Sequence, residues 1–79
     1  MTMDVTDDEI RALRMDALHA GAWDVFDLCL LALAPAHEAE ALAPLLELVA
    51  EDGQPMTRSE ARTQCAEAIA MVRAARAQD

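Results

Sequence analysis

The sequence predicts an all-α chain: a compact bundle of four to five short helices, folded as a single acidic domain over residues 1–79. Ala, Leu, Arg, Glu and Met, the strong helix formers, dominate it, whereas the β-branched and aromatic residues that suit strands are few. Two Thr-x-x-Glu capping patterns each precede an apolar stripe of helical period. Pro35, Pro55 and both glycines fall between the periodic segments, where they act as punctuation.

The first helix starts at Thr6, with Glu9 three residues on completing a capping box and Val5 and Ile10 in hydrophobic-staple positions. It carries Ile10, Leu13, Ala17 and Leu18 on one stripe and ends at Gly21 in the left-handed conformation, with His19 in its last turn beside the negative end of the dipole. A second helix follows from about Trp23 to Ala34, with Asp24 and Asp27 near its positive end and Pro35 stopping it. Val25, Phe26, Leu28, Cys29, Leu30, Leu31 and Leu33 occupy most of its circumference, so it is expected to be the core helix or part of a subunit interface. Trp23 and Phe26, the only Trp and Phe, are expected as core anchors, an interface being the alternative.

The third segment is predicted as two short helices, about 36–42 and 44–51, separated at Pro44. If the helical register survives the proline, Glu40, Glu47 and Glu51 share an arc of about 40°, opposite Leu42, Leu45, Leu46 and Val49. Gly53 and Pro55 make a turn. Thr57-Arg58-Ser59-Glu60 repeats the capping box and opens the last helix, about 58–77, with Ala61, Cys65, Ala68, Ile69, Val72 and Ala75 on one side. Alanine makes up 18 of the 43 residues counted as hydrophobic, so the core is thin and stability depends on close helix packing or association.

Chemistry is sparsely signalled. His19, Cys29, His37 and Cys65 stand singly, without the paired spacing of a metal site, and no metal or other cofactor is expected. Ser59, the only serine, is explained by a helix start, and no histidine has a catalytic context or glycine-rich loop beside it, so an enzyme is not expected. The longest apolar run, 28–36, is far short of the roughly 20 residues that cross a bilayer. Without a basic, apolar leader at its start, the chain is expected in the cytoplasm of a bacterial host, where Cys29 and Cys65 are read as free, a bridge between them being the alternative.

What remains is charge. Fifteen acids face six arginines, there is no lysine, and the net charge is −9, which disfavours direct contact with nucleic acid or anionic membranes. Residues 1–52 hold twelve acids against two arginines, while 53–79 hold three against four. Solubility alone accounts for many acidic faces. The functional reading is that Asp7, Asp8, Asp24, Asp27, Glu40, Glu47 and Glu51 present carboxylates to a basic nucleic-acid-binding protein.

The stretches TDDEIRALRMDALHAG and LCLLAL, together with SEARTQCAEAIAMVRAARAQD, resemble short Ala-rich, Arg-using proteins of phages and mobile elements of high-GC bacteria. In size and acidity the chain is similar to anti-CRISPR proteins, several of which are small, acidic, helical inhibitors of the type I surveillance complex, subtype I-C being the one suggested. The resemblance implies that the chain occupies a basic DNA-entry surface of Cascade and blocks target DNA binding. It assigns no residue a role, and 36–55 lies outside it. The alternative is a homo-oligomeric structural or regulatory protein of a mobile element, its acids serving solubility.

Overall fold

The computed structural model describes residues 5–77. Its four helices are α1 (Asp7–Ala20), α2 (Trp23–Leu33), α3 (Ala36–Leu45) and α4 (Arg58–Ala77), with no strand among the described residues. The fold is all-α, as the composition requires. Among the described residues no helix is long and apolar enough to cross a membrane.

Both capping boxes form. At α1, Thr6 Oγ1 accepts from the Glu9 backbone N–H while Glu9 Oε1 accepts from the Thr6 N–H. Thr57 and Glu60 make the same reciprocal pair at α4. Each satisfies two of the amide donors that a helix start leaves unpaired. Gly21, at φ 70°, closes α1: its own N–H donates to Leu18 O and that of Ala22 to Ala17 O. This paired 5→2 and 6→1 arrangement defines a Schellman cap.

The third segment departs from expectation. Pro44 neither divides the helix nor starts another; it lies in the last turn of α3, where only one carbonyl loses a donor. The helix then ends in a second Schellman cap, with the Glu47 N–H on Pro44 O and the Leu48 N–H on Ala43 O. Glu47 takes the place of glycine at φ 58°, a left-handed backbone that costs an L-residue on the order of 1–2 kcal/mol. Residues 44–51 are therefore not a helix, and the shared arc of Glu40, Glu47 and Glu51 does not exist. Instead 48–56 forms a short hairpin-like loop, bridged between Val49 and Pro55, with Met56 N–H donating to Leu48 O and Glu51 and Asp52 at its tip. Met56 is buried and anchors the loop to the core.

The core lies around α2, which packs between α1 and α4 and touches α3. Ile10 and Leu13 from α1, Leu28, Cys29 and Leu31 from α2, Ala39 and Ala43 from α3, and Ala61 and Cys65 from α4 form one buried cluster. Much of the apolar girth of α2 is thus covered within the chain, while Val25, Phe26, Leu30 and Leu33 are half-buried. Cys29 and Cys65 are free and fully buried, their sulfurs 3.9 Å apart. The shared hydrogen bond and burial hold the Cys65 thiol far above the ordinary range.

Several expected core positions lie outside it. Leu18 is 40% exposed and Trp23 58%, the Trp23 ring meeting Phe26 edge-on at 5.8 Å. On α4 the buried stripe is Ala61, Cys65 and Ala66; Ala68 and Ile69 are half-buried, and Val72 and Ala75 are exposed. The last two turns of α4 are tied to α1 through long arginine side chains rather than buried against it.

Arginines tie the helices together. Arg62 Nη2 donates to Val5 O at 2.7 Å, and its Nη1 donates to Ala32 O at 3.2 Å and Asp7 Oδ1 at 2.8 Å. Arg58 Nε donates to Ala34 O at 2.8 Å. Since α2 has no basic residue in its last turn, these two side chains from α4 supply the cationic donors that its C-terminal carbonyls favour. Further along, Arg73 reaches Glu9 at 2.6 Å and Arg76 reaches Asp16 at 3.7 Å.

The Asp7 carboxyl is held below its usual 3.8 by the hydrogen bond from Arg62, and Glu9 below its usual 4.5, first by the Thr6 backbone and hydroxyl and then by Arg73. Because both folded values are depressed, the stabilisation is present above the ordinary values and is lost as pH falls through the depressed ones.

Three measurements check this account. In urea titrations Arg62→Ala lowers stability by about 2 kcal/mol, because it strips a half-buried, charged donor from two backbone carbonyls, whereas Arg76→Ala costs less than about 0.5 kcal/mol. Equal losses would show that Arg62 is an ordinary surface charge. Glu47→Gly raises stability by up to about 1 kcal/mol, and a decrease would contradict the left-handed cap. Between pH 5 and 3, the urea midpoint of the Asp7→Asn/Glu9→Gln variant depends less on pH than that of the parent; identical slopes would mean that these carboxylates do not couple to folding.

Candidate partner-binding surface

The acids expected to face a partner fall into two groups. On α1, Asp7 pairs with Arg62 and Asp8 with Arg11, each at 2.8 Å, so their charge is matched locally. Asp24 lies exposed in the first turn of α2, with Asp27 half-buried one turn on. Glu40 is exposed on α3, Glu47 forms the helix cap and Glu51 sits on the loop tip. These last five make no ion pair with a described residue, and the sequence half that counts −10 is therefore neutralised along α1 and left bare from α2 onward.

The geometry also adds members that the sequence reading missed. Between the 50–52 loop and α4 runs an open groove of about 790 Å³. Glu51 and Asp52 stand on its loop side, Glu60 and Glu67 on its α4 side, and Leu28, Ala68 and Met71 supply apolar surface between them. Ser59, Thr63 and Gln64 complete the α4 wall, and no basic residue lines the groove. Glu60 and Glu67 were hidden by the balanced charge of 53–79. Their spacing was the available signal: seven residues apart, they share a face of α4, whereas Arg62, Arg73 and Arg76 turn to α1.

Local hydrogen bonds hold the two walls. Asp52 Oδ1 accepts from the Gln54 N–H at 3.0 Å, and Ala50 N–H donates to Gln54 O at 2.8 Å, which together fix the loop tip. Glu60 Oε1 is engaged by Thr57, so its carboxylate is oriented by the helix start. Glu51 and Glu67 make no side-chain hydrogen bond with a described residue.

Glu40 reaches a smaller neighbouring cavity of about 490 Å³, bordered by Arg58, Met56 and Ser59. Ser59 borders both spaces, which places Glu40 beside the groove rather than on one helix face with Glu51. Among the described residues no three His, Cys, Asp or Glu side chains converge as metal ligands would. Neither histidine lines the groove or the cavity around Ser59. The side chains lining these spaces offer carboxylate and apolar contacts.

Compared with known proteins, the chain returns no match: no family model, curated protein or solved structure is significantly similar to it.

Proposed function

We propose that the chain acts by stoichiometric binding, presenting an unneutralised carboxylate surface to a basic nucleic-acid-binding protein, and that it serves as an anti-CRISPR protein blocking DNA capture by a type I Cascade complex. One observation carries the binding reading: the arginines of α4 engage groups of α1 and α2, leaving Asp24, Asp27, Glu40, Glu51, Asp52 and Glu67 without an ion pair among the described residues. Placement of the few available cations on one side concentrates negative potential on the other, which steers a positively charged partner and competes with its nucleic acid. Asp7 and Asp8, already paired, contribute less to that surface than the notional count of α1 acids implies. The Cascade assignment rests on the sequence resemblance alone.

A second reading is self-association. Met15, Leu18 and Trp23 are exposed large hydrophobics on α1 and at the start of α2, and such side chains suit an interface between copies. These side chains support an alternative interface at the α1–α2 end.

The discriminating experiment titrates the purified chain into type I-C Cascade and follows target-DNA binding by electrophoretic mobility. DNA binding is lost near one chain per occupied site, recovers as salt rises, and is retained when Asp24, Asp27, Glu40 and Glu51 are reversed to Lys in the inhibitor. Unchanged DNA binding at a large molar excess of chain would overturn the Cascade assignment. Light scattering that gives a dimer, with a monomer restored by Trp23→Ala, would favour self-association.

A further inference from the structure

We propose that the groove between α4 and the 50–52 loop is the docking site for a Lys- or Arg-bearing amphipathic helix of the protein partner; the inference deepens the preceding reading and rests on its premise that the partner is basic. Concavity without a described basic residue sets this site apart from the remaining acids, since the cavity beside Glu40 is bordered by Arg58. Leu28 and Ala68 form part of its floor, and Met71, 73% exposed, lies at one end. From Glu60 to Met71 the α4 wall spans about 16 Å at 1.5 Å per residue, about three helical turns.

Charge complementarity selects the occupant. Carboxylates stand on both sides, Glu51 and Asp52 on the loop and Glu60 and Glu67 on α4, with no basic residue between them. A plain aliphatic helix would desolvate those carboxylates without pairing them, which is costly. A helix with basic residues flanking an apolar stripe satisfies both features: its stripe covers Leu28 and Met71, while Lys or Arg stems lie on apolar surface and carry their heads to the rims. A second copy of this chain fits less well, because Arg62, Arg73 and Arg76 already pair with α1.

The test uses the intact, isotope-labelled chain and, as probe, a synthetic helix of about four turns built from Leu and Lys, with a Leu and Glu helix as control. The Lys helix shifts the amide and methyl NMR signals of Glu67, Ala68 and Met71, and its affinity falls as salt rises from about 50 mM to about 300 mM. Glu51→Lys/Glu67→Lys weakens binding by about tenfold, whereas Asp16→Lys/Glu38→Lys, with the same change of net charge outside the groove, changes it little. Met71→Gln weakens binding by about fivefold, an effect that long-range attraction alone would not give. Circular dichroism confirms that each variant is folded, and all three carry exposed substitutions.

Equal binding of the Glu helix, shifts spread along α1, or equal losses in the two double variants would overturn the docking site. Concentration-dependent shifts of Met71 without peptide would also overturn it, by showing a second copy in the groove. Peptide binding without inhibition of Cascade refutes the functional assignment and leaves the groove standing; inhibition with no response at the groove does the reverse.

Discussion

The guanidinium of Arg62 is the contact on which the rest of the arrangement depends. It joins the residue before the first capping box, the last turn of α2 and the first helical acid in one set of hydrogen bonds, all from a side chain that is mostly withdrawn from water. A core made largely of alanine and short aliphatic side chains gives little dispersion energy per helix pair, so a directional tether matters more here than in a bundle rich in large residues. With Arg58 beside it, Arg62 also resolves a local deficiency: α2 ends without a cation of its own and receives two from a helix more than twenty positions later in the chain.

That tether has an electrostatic consequence. Each arginine that holds α4 to its neighbours is withdrawn from the side carrying Glu51, Asp52, Glu60 and Glu67. Stability on one side and an unopposed negative surface on the other therefore arise from the same placement of a few cations in a chain of net charge −9.

The parts of this architecture visible in sequence are those fixed by local chemistry. Thr6 with Glu9, Thr57 with Glu60, and Gly21 specify helix ends through hydrogen bonds that span three to five residues, and they form as expected. The third segment was not legible because Pro44 lies close enough to the helix end to be tolerated and a glutamate fills the left-handed site that normally advertises itself as glycine. The composition signal for Trp23 was similarly overruled: the ring stays exposed at the helix start, set edge-on against Phe26 rather than in the buried cluster. For the surface, the count of acids by sequence half missed Glu60 and Glu67, since pairing across 55 to 64 residues decides which charges remain, and that is a property of the fold.

The contact between Cys29 and Cys65 sets more than the tightness of the interior. With Ala61 and Ala32 also fully buried, the α2–α4 seam is built from side chains of few atoms, so the spacing between these two helices is fixed by sulfur and methyl groups. A bulkier residue in that seam would have no void to occupy and would push α4 outward as a rigid rod. Such a displacement would loosen the arginine clasp and change the mouth of the groove together, which makes the internal gauge of the bundle a determinant of the shape it offers to other molecules.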